Sequence, residues 1–418
     1  MESKSKKRST CRLCGKNNVI LALQLAPTPI GDAYSPCPVM TPNFPLDLYL
    51  CQDCGLAQLL DVVDPKAMYA NFKYTTSISL GLTSHFQEYA DAVLQFATPR
   101  EGSLVVDIGS NDGTLLKAFQ QNGMQVLGIE PAKQIAQKAI MKGVDTLTAY
   151  FSRELAQKIK SEYGEAFIIT SNNTFANIDD LDDIILGIKE LLAPEGFFVL
   201  ETGYLFDLVT NKLFDNIYHE HLSYFSAKPL IKFFNRHDMK IIAFEQINTK
   251  GGSIRAIIQL NTGSGLISEN VTAMAKMEFE AGLYSLSSYE KFSSNIKKTR
   301  NSLRSFIYGL KDQGKTIAGF GASVGATTFI ATLSLGELLD FIVDDNPQKH
   351  DTFSPGDNIP VRPAGDLYTA KPDYTIILAW RYADPIMNNH QSYLDQGGTF
   401  VIPWPEIQAI NNSRTATC

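Results

Sequence analysis

The chain has 418 residues, 44% hydrophobic and 19% charged, with a formal net charge of −7. That length is too great for one compact core and predicts two or three domains of ordinary globular composition. The acidic balance argues against nucleic acid or an anionic membrane as the main partner. The basic start MESKSKKRST has no apolar stretch behind it to make a signal peptide, and no apolar run reaches the length of about 18 residues that spans a bilayer. The expectation is a cytoplasmic protein.

Residues 1–65 are rich in proline and turn formers (LAPTPIGDAYSPCPVMTPNFP) and poor in long apolar runs. Four of the six cysteines stand as CRLC (Cys11, Cys14) and CQDC (Cys51, Cys54), each pair followed by glycine. In a reducing compartment such pairs are metal ligands more often than disulfides. Two C-x-x-C knuckles offer four thiolates to one tetrahedral Zn²⁺ and leave no open position, so 1–65 reads as a structural zinc-binding domain. Between 66 and 98, SLGLTSHFQEYADAVLQFA has apolar residues at helical spacing and predicts a lead-in helix.

A regular alternation follows. SLVVDIGS (103–110), QVLGIEP (125–131), AFIITSNN (166–173) and GFFVLETG (196–203) are apolar, strand-like runs. GTLLKAFQQNG (113–123), AKQIAQKAIMKG (132–143) and LDDIILGIKELL (181–192) between them are helical. The pattern predicts an α/β fold with a doubly wound parallel sheet. KIIAFEQIN (240–248) and SIRAIIQL (253–260), joined through TKGG, read as a hairpin at its edge. After a mainly helical stretch from 265 to 312, strand runs restart at KTIAGFGAS (315–323), LDFIVDDN (339–346), DYTIILAW (373–380) and GTFVIPWP (398–405). The expected domains are 1–65, 66–265 and a second, smaller α/β unit over 266–418.

VVDIGSNDGTLL ends its strand in Asp107 and turns through Gly109, Asn111 and Gly113 into a helix. Open α/β sheets hold nucleotide-like ligands at such a turn. A carboxylate within it would repel a diphosphate and suits a ligand with a cationic amino-acid end. Glu130 closes the next strand, where these folds hold ribose hydroxyls, and Asn172 ends the fourth. Together these residues resemble the S-adenosylmethionine site of class I methyltransferases, whose central sheet is Rossmann-like.

NIYHEHLSYFS (216–226) gathers Tyr218, His219, Glu220 and His221 after the fifth strand. Cysteine knuckles, a methyltransferase-like centre, YHEHLSYFS, GGSIR in the edge hairpin and a second α/β domain occur here in one order. That order resembles the S-adenosylmethionine-dependent C-methyltransferases that act at C3 of nucleotide-linked 4-keto-deoxyhexoses, from Cys11 to about Pro405. The resemblance implies an enolate mechanism. A carbonyl at C4 makes the C3 proton acidic, and the enzyme needs a base and donors for the developing oxyanion. His221 is then the expected base, histidine being suited to neutral pH. Glu220 would orient it or bond the sugar, and Tyr218 would hold a substrate oxygen or the enolate. Tyr74, in FKYTTSIS (72–79), is the expected tyrosine of a substrate loop. Asn177 stands where relatives carry a histidine; it can bond a ketone or enolate oxygen but cannot shuttle a proton. His219 is expected to contact substrate. On an extended segment it would share a face with His221 while Glu220 pointed away, a restriction that a turn would lift.

GFGASVG (Gly319, Gly321, Gly325) follows a strand and opens a helix, which keeps an NAD-dependent oxidoreductase of nucleotide sugars open as a second reading. The resemblance instead makes this domain a cover for the nucleotide-sugar site. Gly321 and Ser323 would then cradle the diphosphate at a helix end, with Arg255 of GGSIR as a second phosphate contact. O-methylation of a sugar acceptor also stays open, as does a zinc-containing scaffold with an inactive fold. The intact set Asp107, Gly109, Gly113 and Glu130 speaks against the scaffold. The expected partner is the keto-sugar substrate, with no nucleic acid and no membrane, enclosed by a monomer.

Overall fold

The computed structural model describes residues 5–65, 68, 75, 76, 81–412 and 414–417. Its central sheet has seven strands in the order Met239–Ile247, Ser253–Leu260, Leu192–Gly203, Ala166–Asn172, Leu104–Ile108, Gln125–Ile129, Thr146–Leu147. Only Ser253–Leu260 runs against the others, inserted between its hairpin partner and the fifth strand. The run LVVDI is buried along its whole length because helices cover both faces of a parallel sheet. On one face the helix Leu82–Ala97 turns Leu82, Phe86, Tyr89, Ala90, Val93 and Ala97 inward, at the helical spacing read in the sequence. These side chains pack with Leu115 and Phe119 of the helix Thr114–Gln121.

The strand Leu104–Ile108 has Gln125–Ile129 on one side and Ala166–Asn172 on the other. The loops leaving it and Ala166–Asn172 therefore diverge at the carboxyl edge beside Asp107 and Asn172, the position at which open α/β sheets bind ligands.

A second sheet, of eight strands, repeats this logic at its centre. Ile317–Phe320 is flanked in parallel by Phe341–Asp344 and Tyr374–Ile377, and these by Pro360–Pro363 and Thr399–Ile402. The third sheet joins parts distant in sequence. Val19–Leu23, Leu48–Cys51 and Ala57–Leu59 of the cysteine-rich segment are completed by Ser223–Tyr224, the strand that follows YHEH. Among the described residues no helix is long and apolar enough to cross a membrane.

Candidate active site

Asp107 is buried at the end of its strand and accepts a hydrogen bond from Thr170 Oγ1 at 2.7 Å. Burial, reinforced by Glu130, pushes its carboxyl up to about 7. Gly109 follows with φ +79°, and a Cβ there would lie 2.2 Å from Thr174 Oγ1, so both conformation and space require glycine. Asn111 and Gly113 also take positive φ as the chain turns into the helix Thr114–Gln121. Glu130 receives the Asn111 amide at 3.1 Å and the Ala132 amide at 2.8 Å. Its carboxyl is raised by burial, which those two bonds oppose. The Asn172 amide lies beside Asp107 and Tyr89. Around this edge Ser110 Oγ, Ser171 Oγ and Asn177 Oδ1 are buried without a protein hydrogen-bond partner among the described residues. Two acids with unmet polar atoms beside them fit a ligand with an ammonium end and ribose hydroxyls.

The YHEH segment is a turn, closed by the His221 amide donating to the Tyr218 carbonyl at 3.0 Å. This geometry separates the residues that the sequence crowds together. The Tyr218 and His221 rings lie with centroids 4.1 Å apart, tilted by 36°, and Tyr218 Oη lies 3.0 Å from His221 Nε2. Burial, with Lys250 adding to it, pushes His221 down to about 4, and a bond to the Asn216 backbone opposes the shift. The ring is therefore neutral at pH 7. With Nδ1 left for the Asn216 backbone, Nε2 accepts the Tyr218 proton. Glu220 leaves the turn toward Asp32 and Lys349; burial, with Asp32 adding, raises it to about 7. His219 points elsewhere again. Its Nε2 donates to the Pro45 carbonyl at 3.2 Å and its ring meets Phe44 edge-on, so it packs into the cysteine-rich domain.

Asn177 closes the short turn Phe175–Asn177 just past Asn172. The Leu222 amide donates to the Ala176 carbonyl at 2.8 Å, so this turn and the His221 turn are joined. Tyr74 lies outside the described residues; nearby, the Thr76 amide donates to Asn111 Oδ1 at 2.9 Å.

A charged network at the same edge escaped the sequence reading. His85, on the first turn of the lead-in helix, donates through Nε2 to Glu201 Oε1 at 2.7 Å. Arg255 reaches Glu201 Oε2 through Nε at 2.9 Å and Nη2 at 2.8 Å, and Glu245 through Nη1 at 2.8 Å. Its guanidinium lies 4.2 Å over the Tyr89 ring. Burial would raise Glu201, but His85 and Arg255 hold it below the usual carboxylate range. Arg255, expected to contact phosphate, is paired here with two carboxylates. The only local signal for the network was an acid ending the fifth strand.

The glycines of the second glycine loop are packed closely against protein. A Cβ at Gly321 would lie 2.7 Å from Ala379 Cβ, and one at Gly325 would lie 2.9 Å from the Asp215 carbonyl oxygen. Ser323 caps its helix by accepting the Ala326 amide at 3.2 Å. Asp344 accepts the Ala322 amide at 2.5 Å. Gly321 and Ser323, expected to cradle a diphosphate, are thus engaged in packing and in capping respectively.

The four sulfurs of Cys11, Cys14, Cys51 and Cys54 lie within 4.8 Å of one another. Cys11 and Cys54 are 3.5 Å apart and Cys14 and Cys51 3.6 Å, near the ~3.8 Å between ligands of a tetrahedral ZnS₄ centre with Zn–S of about 2.3 Å. The knuckles are built alike: Gly15 N donates to Cys11 O and Gly55 N to Cys51 O, each at 2.9 Å. These residues fit a structural zinc ion.

Residues 11–69 match a zinc binding domain, 83–243 a methyltransferase domain and 248–405 a C-methyltransferase C-terminal domain. The chain is 31% identical over 411 residues to the C-methyltransferase NovU of Streptomyces niveus, covering 97% of each. Among solved structures it is similar to an S-adenosylmethionine-dependent methyltransferase from Clostridium acetobutylicum, at 10% identity and a TM-score of 0.35 over 47% of this chain and 95% of that one. The magnesium protoporphyrin IX methyltransferase of Synechocystis with bound S-adenosylhomocysteine is another, at 15% identity and 0.35 over 47% and 91%.

Proposed function

Given that the chain belongs to the C-methyltransferase family and is S-adenosylmethionine-dependent, we propose that its acceptor is C3 of a nucleotide-linked 4-keto-deoxyhexose. In this reading Asp107, Gly109, Asn111, Gly113, Glu130 and Asn172 hold the methyl donor. S-adenosylmethionine supplies an electrophilic methyl group when bound there.

The chain's own residues have to make carbon nucleophilic. His221 Nε2 takes the C3 proton, and the C–H electron pair moves into a C3–C4 double bond with negative charge on the C4 oxygen. Tyr218 turns its hydroxyl from His221 to that oxygen, which frees Nε2 and supplies a donor to the enolate. The Asn177 amide is a second donor. The burial that lowers the His221 pKa also strengthens the imidazolium–enolate pair as it forms, because both charges arise in the same low-dielectric site. The C-terminal domain closes the site: Thr328 Oγ1 donates to the Ile217 carbonyl at 2.9 Å and Thr327 Oγ1 to Gly31 at 2.7 Å. The nucleotide would lie against that domain.

The supporting observation is the Tyr218–His221 pair, neutral and joined through Leu222 to the Asn177 turn. Deuterium wash-out tests the reading. With S-adenosylhomocysteine and a nucleotide-linked 4-keto-deoxyhexose in D₂O, the C3–H signal is expected to disappear with wild type and persist with His221→Asn. Retention by wild type across several nucleotides would refute the acceptor, and equal loss with the variant would refute the base.

A further inference from the structure

The cysteine-rich domain is wired to the base through one side chain. Arg12 stands between the ligands Cys11 and Cys14, and its side chain is 0% exposed. Nη1 donates to the Leu222 carbonyl at 2.8 Å, Nη2 to the Leu59 carbonyl at 3.1 Å and Nε to Asp179 Oδ1 at 3.1 Å. Leu222 directly follows His221, and Asp179 lies two residues past Asn177. One planar guanidinium therefore ties the metal knuckle, the base-bearing turn and the Asn177 turn together. The arrangement is reinforced on every side. Leu59 N donates to the same Leu222 carbonyl at 3.0 Å, Gln58 Oε1 accepts the Arg12 amide at 2.9 Å, and Lys6 and Arg8 also reach Asp179, each at 2.9 Å.

We propose that Arg12 is a positioning residue for the methyl transfer, carrying the order of the zinc knuckle into the orientation of His221. A buried arginine is costly to desolvate, and the Asp179 carboxylate at 3.1 Å offsets that cost. An apolar side chain could fill the space but could not hold two carbonyls and a carboxylate from three segments at fixed angles. A base must be held within about 0.5 Å, and misplacement by about 1 Å costs on the order of 10²-fold in rate. The inference rests on His221 being the base.

Arg12→Lys in the full-length, zinc-loaded protein tests it, since an ammonium keeps the charge but loses the fork. Four quantities are measured: zinc per chain, affinity for S-adenosylhomocysteine, the rate of C3–H exchange, and the ¹⁵N signals of the His221 ring, assigned with His221→Asn. The expected result is retained zinc and affinity, exchange slower by about 10- to 100-fold at an unchanged KM, and a displaced His221 signal. Unchanged exchange and ring signal would overturn the proposal, as would loss of zinc and cofactor affinity in step with the rate, which would mark Arg12 as merely structural. If Arg12→Lys does not fold, Asp179→Asn releases the same fork at one corner and is expected to show a smaller change of the same kind. If wild type fails to exchange, the acceptor reading fails, and the His221 signal alone decides about Arg12.

Discussion

Glu201→Gln probes the charged network under the carboxyl edge. Glu201 is 1% exposed and takes three short bonds, one from His85 and two from Arg255. Glutamine keeps the volume, so the loss is a charge and not a cavity. Deleting one member of a buried ion pair costs about 3–5 kcal/mol, because the partner is left charged and unpaired. Arg255 retains Glu245 at 2.8 Å, but that carboxylate is 43% exposed and screened by water. The expected cost is therefore at or just below that range, about 2–4 kcal/mol, or a Tm lower by roughly 5–15 °C. The pH dependence has a definite sign. A carboxylate held below its ordinary pKa contributes stability that is complete above the unfolded value of about 4.3 and is lost as pH falls through the folded one. Urea unfolding of both proteins at about pH 8 and at steps down to about pH 3.5 is expected to show a gap that narrows on acidification. A gap under about 0.5 kcal/mol near neutrality, or one that widens in acid, would refute the reasoning.

The other expectations concern the site. Glu130→Gln is expected to weaken S-adenosylhomocysteine binding by about 10- to 100-fold in calorimetry, the worth of one charge-assisted bond; unchanged affinity would remove Glu130 from the site. His221, depressed to about 4 by burial, stays a neutral base until pH falls through that value. The C3–H exchange rate is then expected to keep its acid limb near 4, and a limb at the ordinary 6.5 would contradict the assignment. Cys51→Ser is expected to abolish zinc retention and lower folded yield, measured by metal analysis and gel filtration; full zinc content would disprove the four-cysteine site.

What was legible in the sequence follows from how each feature is encoded. Buried parallel strands are continuous apolar runs, so LVVDI and its fellows announce themselves. Gly109 and Gly113 mark a turn that other residues cannot make, and two C-x-x-C pairs carry their own spacing rule. The charged network had no such marker. Arg255 opposes Glu201 on one neighbouring strand and Glu245 on the other, a register that exists only once Ser253–Leu260 is inserted into the sheet. His85 is a lone histidine on an amphipathic helix, indistinguishable locally from a surface residue. The YHEH turn lies between these cases. Its residue types pointed to proton chemistry, but only the backbone bond from His221 to Tyr218 decides that Tyr218 pairs with His221 while His219 departs to Pro45.

The same logic explains why the cysteine-rich domain belongs beside the YHEH turn. A turn of four residues, all with titratable side chains, has little apolar surface of its own, so it cannot be ordered by burial alone. Here Ser223–Tyr224 pairs with Ala57–Leu59 as the edge of a foreign sheet, and the strands of that sheet are pinned by the two knuckles. Backbone pairing fixes the direction of the turn but leaves its height along the strand to the bonds at Leu222. Three donors converge around that residue: Leu59 N and Arg12 Nη1 on its carbonyl, and its own amide on Ala176. In the proposed mechanism a metal held by the four cysteines takes no part in the chemistry and still bears on it, because the knuckle that carries Arg12 adjoins the turn that carries His221.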